Sequence, residues 1–277
     1  MRPAPRGLIV DMDGVLYRGD LPLPGLGGFF AVAATHPYAL VTNNSLVTRQ
    51  DCQAKLRRMG VRVPATAICT VSDAVGAYLT ATAPRGSRAL VLGSPALRAA
   101  VTGSGLSLAD GTGRDPADVV VVGLDTAVSY GALAEAIRAV AAGARFVATS
   151  LDPVLLTEAG IAPGAGAIVA AITACVRSEP VCIGKPSPAM FTAAAARLGL
   201  AAAEILVVGD SLAADIAGGS SAGARTALVL SGLSGQDDPG PHRPDLIFDG
   251  LPELSVFLTR VWEERAGPGA AHECLSL

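Results

Sequence analysis

The sequence predicts an α/β fold with a parallel sheet, and three observations point there. Short, near-continuous apolar runs rich in β-branched residues recur along the chain, as strands covered on both faces require. Stretches with helix start and stop signals alternate with them. Several runs end in glycine or in polar residues, where an open parallel sheet binds its ligands.

The strands come in order. "GLIV" runs into Asp11, and "YALVT" precedes Asn43. "RALVLG" ends at Gly93, "DVVVVG" at Gly123 and "RFVATS" at Ser150. "EILVVGD" ends at Asp210, "RTALVLSG" at Gly232 and "DLIFDG" at Gly250. Between them lie helices. In "TRQDCQAKLRRMG", Thr48 and Asp51 form a capping-box pattern, Cys52, Leu56 and Met59 share a face, and Gly60 ends the helix. In "SPAMFTAAAARLG", Ser187 caps, Pro188 occupies the first turn and Gly199 closes. The Pro/Gly-rich stretches at 82–87 and 177–188 read as edges of an inserted domain. There is no repeat, and the tail "AGPGAAHECLSL" lacks periodicity and reads as frayed.

With 277 residues the chain can bury one or two sizeable cores. Its 51 % hydrophobic content and 16 % charged content are those of a globular protein. A net charge of -3 offers no basic field, which argues against nucleic-acid binding. The five cysteines are dispersed without CxxC pairs, which argues against a disulfide framework or zinc site and for a reducing compartment. The longest uncharged run, 159–176, contains Pro163, Gly164 and Gly166 and is read as a buried loop and helix. A membrane span would need about 20 predominantly apolar residues. The start "MRPAPRG" lacks the apolar region of a signal peptide, so a soluble cytoplasmic protein is expected.

Four polar clusters fall at strand ends or helix entries: Asp11 with Asp13, Thr42-Asn43-Asn44-Ser45, Lys185, and Asp210 with Asp215. On an extended strand Asp11 and Asp13 can face one side, and with Asp210 they repel unless a cation joins them. Few all-oxygen ligands suit hydrated Mg2+; glycine at the fourth position of "DMDG" rules out an EF-hand loop. The same pair could instead cap a turn. "TNNS" offers a hydroxyl, amides and backbone N–H groups to an anion such as phosphate, or forms an ordinary Asx turn. Lys185 in "IGKPSP" could hold a phosphoryl oxygen or stand as a loop lysine; proline after it excludes a Walker loop. Asp210 could bind the cation or serve as an N-cap.

Together, "DMDGVLYRG", "VTNNS", "VVGLD", "PGAGAIVAAI", "IGKPSPAMF" and "VVGDSLAADIAGG" resemble the haloacid dehalogenase-like hydrolase superfamily. The match is to subclass IIA, with NagD-like, p-nitrophenyl phosphatase and phosphoglycolate phosphatase-like enzymes. The resemblance implies a Rossmann-like core from 1–78 and 182–265, an inserted α/β cap at 79–181, and a tail at 266–277. It implies a Mg2+-dependent phosphatase acting on a small phosphorylated metabolite, with a homodimer through the cap as its usual assembly. Asp11 would be the nucleophile and Asp13 the acid and base. Asp11, the backbone carbonyl of Asp13, and Asp210 would hold Mg2+, with Asp215 as a supporting anchor. Thr42, Asn43, Asn44 and Lys185 would hold the phosphoryl group.

The chain also departs from the pattern. Ala214 stands where Thr is frequent, Ser211 where Asn or Arg is usual, and Ser150-Leu151 where the cap of relatives reads differently. Residues 79–181 contain no histidine. Two other readings compete. One is a phospholigand-binding protein without turnover. The other is a serine hydrolase, since "GSSAG" places Ser221 in a G-x-S-x-G pattern with His242 downstream; but a nucleophile elbow needs strand, turn, helix, and here a helix is expected before the motif and a strand after it. "PGAGAIV" lacks the third glycine of a dinucleotide site and reads as a helix start.

Overall fold

The computed structural model describes residues 3–110, 116–157, 160–232, 234–235, 238 and 242–266. The predicted tail, with Cys274, falls almost wholly outside them. The fold is α/β with two parallel sheets, and each predicted strand is present.

Chain contacts divide the protein into two compact units, the first being Met1–Val41, Gln53–Ile68 and Phe191–Leu277, the second Thr42–Cys52 and Cys69–Met190. The six-stranded sheet runs in the order Leu246–Phe248, Arg225–Val229, Ile205–Gly209, Gly7–Asp11, Tyr38–Thr42, Ile68–Thr70. Gly7–Asp11 is flanked by Ile205–Gly209 on one side and Tyr38–Thr42 on the other, both parallel to it. Chain order therefore runs outward in opposite senses from this pair. In an open sheet the crevice beyond the carboxyl ends at such a reversal is where ligands bind. Gly7 to Asp11 are all buried, because helices or loops cover a central strand on both faces.

The second unit has its own parallel sheet, ordered Val181–Cys182, Arg145–Ala148, Val119–Val122, Arg88–Leu92, Ser107–Leu108. Strand alternation divides its core. Ala89, Val91, Val119, Val121 and Val147 pack with Leu79 of the helix Val71–Thr82. Leu90, Leu92, Val120, Val122 and Phe146 pack with Ile172 of the helix Ala165–Val176. Two faces buried by two helix layers account for the valine runs without polar alternation.

Several helix ends form as the sequence predicts. The side chain of Asp51 accepts from Thr48 N–H at 2.9 Å, and Thr48 Oγ1 accepts from Asp51 N–H at 3.2 Å. Cys52 and Leu56 are buried on that helix, Arg49–Arg58, and Met59 partly so. Pro188 begins and Gly199 follows the helix Pro188–Leu198. One stretch differs from expectation. The run 159–176 is read from the sequence as loop and helix, yet Gly160–Pro163 pairs antiparallel with Val154–Thr157. Ile161 there is 80 % exposed, so hydropathy without a packing partner gave no sign of the hairpin. Among the described residues no helix is long and apolar enough to cross a membrane, and no disulfide is formed.

Candidate active site

In the first unit, the strands Gly7–Asp11 and Ile205–Gly209 are in register, with Val10 opposite Val208. Asp11 closes the first strand, and Asp210 directly follows the second. Their carboxylates are thus delivered side by side at the reversal point of the sheet. Asp215 joins them: one carboxylate oxygen from each of Asp11, Asp210 and Asp215 lies within 4.8 Å of the others. All three residues are buried.

Asp215 arrives by a local device. Ser211 caps the turn after Asp210, its Oγ accepting from Ala214 N–H at 3.1 Å. Ser211, and not Asp210, is therefore the N-cap, which leaves the Asp210 carboxylate to the cluster. The turn is wide: Ile216 N–H donates to the Ser211 carbonyl five residues back at 3.1 Å. Such one-turn widenings recur at functional sites. Ser211 N–H also donates to Asp215 Oδ2 at 3.2 Å, which fixes the carboxylate toward the strand end.

Glycines form the wall beside Asp210. A Cβ on Gly14 would stand 2.1 Å from Asp210 Oδ2, and one on Gly232 would stand 1.8 Å from it. Gly14 also has φ +82°, so both conformation and space demand glycine there. Asp13 is exposed and pairs by a bridge with Tyr17 in the loop that Gly14 turns. Its carboxylate is not among the clustered three. Among the described residues the donor set fits a hard divalent cation: three carboxylates, with no cysteine or histidine grouped with them, and like charges that a cation would offset.

In the second unit, the Thr42 to Ser45 loop is tied at several points. Thr42 Oγ1 accepts from Asn44 N–H at 3.0 Å, which leaves its proton for another acceptor. Asn44 closes an Asx turn, its Oδ1 accepting from Leu46 N–H at 2.9 Å. Asn43 turns the other way. Its Nδ2 donates to the Lys185 carbonyl at 3.0 Å, and its Oδ1 accepts from Lys185 N–H at 2.8 Å. Ser45, buried, accepts from Leu124 N–H at 3.0 Å, and its carbonyl takes the Ser94 hydroxyl. Lys185 is buried, with only 4 % of its surface exposed. It is no solvated loop lysine. Nearby, burial pushes the Cys182 thiol above its ordinary pKa, outweighing a hydrogen bond from the thiol to the Gly184 carbonyl.

Of the departures, Ser150 is buried and accepts from Asp152 N–H at 3.1 Å, while Leu151 is half-exposed. Ser221 ends the helix Ala217–Ser221, is exposed, and precedes the strand Arg225–Val229. That is the reverse of a nucleophile elbow, so the serine-hydrolase reading falls.

A family model for haloacid dehalogenase-like hydrolases matches residues 8–107, and a HAD-hydrolase-like model matches residues 182–254. Dihydroxyacetone phosphatase of Corynebacterium glutamicum (strain R) is 32 % identical over 95 % of this chain and 94 % of its own length. This chain belongs to the haloacid dehalogenase-like hydrolases. NagD from Escherichia coli K-12 superposes on this HAD-like hydrolase with a TM-score of 0.82 at 32 % identity, covering 90 % of this chain and 98 % of NagD. Glycerol phosphate phosphatase from Mycobacterium tuberculosis, solved in complex with magnesium, gives a TM-score of 0.86 at 33 % identity over 92 % of this chain and 78 % of that one. The HAD-like chain falls in subclass IIA, and it is a phosphatase; the relatives from Corynebacterium glutamicum and Mycobacterium tuberculosis are named as phosphatases and match it over most of its length.

The sequence named each of the clustered aspartates, and the family resemblance placed the Asp13 carbonyl among the metal ligands and Asp215 as a supporting anchor. A capping serine four residues before Asp215 was the signal for its placement. The sequence did not show the role of Ser45 or the partnership of Asn43 with Lys185, which join segments far apart in the chain.

Proposed function

We propose that this HAD-like phosphatase hydrolyses small phosphate monoesters through a covalent phosphate on Asp11. The observation that supports this best is the grouping of Asp11, Asp210 and Asp215 at the reversal point of the first sheet. An Asp11 oxygen bonds to phosphorus while the bond from phosphorus to the leaving alcohol breaks. Asp13 gives that alcohol its proton. Water then attacks the same phosphorus, Asp13 takes the water's proton, and the bond to Asp11 breaks to release inorganic phosphate. The exposure of Asp13 suits a group that must meet leaving groups and water in turn.

Asp11, Asp210, the backbone carbonyl of Asp13 and, at the edge of the set, Asp215 are the residues that would hold Mg2+. When bound, the cation neutralises charge on the phosphoryl oxygens and on the crowded carboxylates. Lys185 adds positive charge to the phosphoryl group, and the loop of Thr42, Asn43 and Asn44 orients it, with the Thr42 hydroxyl as a donor. A core of 1–78 and 182–265 carries this chemistry, and a cap at 79–181 selects the substrate. Two of the relatives are named for dihydroxyacetone and glycerol phosphate, so phosphates of three-carbon alcohols are the substrate class to try first. The enzyme acts in the cytoplasm, as a homodimer through the cap.

The test is hydrolysis of p-nitrophenyl phosphate. Wild type turns over with Mg2+, stops in EDTA and recovers when Mg2+ is restored. Asp11→Asn, folded by circular dichroism, loses about 10³-fold or more, since the nucleophile is gone. Activity that persists in Asp11→Asn removes Asp11 as nucleophile, and activity that persists in chelator removes the metal.

A further inference from the structure

We infer that the Asn43 side chain positions Lys185: its carboxamide holds the lysine's backbone, and the side chain serves phosphate capture through that lysine. The inference rests on the reading of Lys185 as the phosphoryl-binding cation.

The geometry is a closed pair. Asn43 donates from Nδ2 to the Lys185 carbonyl at 3.0 Å and accepts at Oδ1 from Lys185 N–H at 2.8 Å, across 142 positions of sequence. A primary amide has one carbonyl and one NH2 group, and here each is committed to the same residue. The arrangement copies two rungs of a β-ladder with a side chain in place of a strand. It fixes the position and the direction of the Lys185 peptide together, which a single hydrogen bond cannot do.

A second observation shows how closely the two segments are fitted. Gly184 leaves no room for a side chain: a Cβ there would stand 2.6 Å from Asn43 Oδ1 and 2.0 Å from the Thr149 carbonyl. The backbone before Lys185 is pressed against the Asn43 amide and the end of the strand Arg145–Ala148. A lysine has a flexible four-carbon stem, and its ammonium is well placed only if its Cα is. Lys185 is also almost wholly buried, so its stem cannot search for a new path if the backbone shifts. The neighbouring Asn44 spends its side chain in its own turn, so the two asparagines have different duties.

A double-mutant cycle tests this on the full-length enzyme with Mg2+, reading kcat/KM for p-nitrophenyl phosphate and the inhibition constant of inorganic phosphate. Asn43→Ala removes two hydrogen bonds and lowers kcat/KM by about 10- to 100-fold. It weakens phosphate inhibition by a similar factor. Lys185→Ala lowers kcat/KM by about 10²-fold or more and raises the inhibition constant of phosphate by a similar factor. In the Lys185→Ala background, Asn43→Ala costs less than about 3-fold more, because the residue has lost what it positions. Should Asn43→Ala fail to fold, Asn43→Ser takes its place in the cycle. Additive losses, or an Asn43 variant with wild-type kcat/KM, overturn the inference. A Lys185→Ala enzyme with wild-type kinetics overturns instead the reading of Lys185 on which it stands.

Discussion

Acidic side chains are used in opposite ways in the two units. In the first, Asp11, Asp210 and Asp215 are buried together, with oxygens inside 4.8 Å of one another. In the second, Asp73 stands at the start of the helix Val71–Thr82, where it accepts from Arg49 Nε at 2.7 Å and from the Thr70 hydroxyl at 2.8 Å. Thr70 Oγ1 in turn accepts from Asp73 N–H at 3.2 Å, which completes a capping box. Both units build parallel sheets from valine-rich strands, so the sheets themselves do not set the difference. The residues at the carboxyl end of each strand do. Carboxylates end the central strands of the first sheet, whereas Gly93, Gly123 and Thr149 come directly after the strands of the second. The lesson is that a carboxylate at a helix start serves as a structural fitting, while carboxylates gathered at the carboxyl edge of a sheet offer a place for an added cation.

The comparison breaks most visibly at Asp215. Asp215→Asn keeps the size of the side chain and removes a charge from the cluster. The Mg2+ concentration for half-maximal activity should rise by about 10- to 100-fold, as for loss of a metal-orienting group. A Mg2+ titration of turnover measures it, and an unchanged midpoint would remove Asp215 from the cation site.

Asp73 gives the next effect, on stability. Burial favours its neutral form, but the Arg49 and Thr70 hydrogen bonds and the Arg49 charge outweigh that and lower its pKa. A carboxyl with a lowered folded pKa adds stability above its unfolded pKa and loses it as pH falls through the folded value. Asp73→Asn should therefore cost about 1 kcal/mol near neutral pH, discounted for partial exposure of the pair. The difference from wild type should shrink below about pH 4, where the unfolded carboxyl also protonates. Urea unfolding at neutral and at acid pH checks it, and a gap that does not change with pH would show that charge plays no part.

The smallest effect belongs to Ser150, where the family pattern is broken. Its Oγ bonds within its own loop, donating to Asp152 Oδ2 at 3.1 Å and accepting from Asp152 N–H. Ser150→Ala should change kcat/KM by less than about 3-fold while costing about 1 kcal/mol of stability. A large loss of turnover would bring the loop after the strand Arg145–Ala148 into the chemistry.

Much of the fold could be read from residues because its rules are local. A run of β-branched residues that must be covered on both faces shows itself without partners, and so do Thr48 with Asp51, or Pro188 with Gly199. The short strands Ile68–Thr70 and Val181–Cys182 and the exposed hairpin at Gly160–Pro163 did not, since two to four residues carry too little pattern to compete with their neighbours. Asp11 and Asp210 were legible by kind and by place at strand ends, and Asp215 by kind. Their mutual distances were not.

By itself, the sequence determined which residues end the central strands, and so that carboxylates would stand at the carboxyl edge of a parallel sheet. Backbone periodicity and helix caps act over a few residues, and those suffice for that. Only the tertiary structure decided that Asp215 swings into the cluster on a widened turn, that Asp13 stays in solvent, and that Asn43 turns its carboxamide to the Lys185 backbone. Each of these depends on how segments pack in space, and no rule of spacing along the chain encodes which atoms will meet.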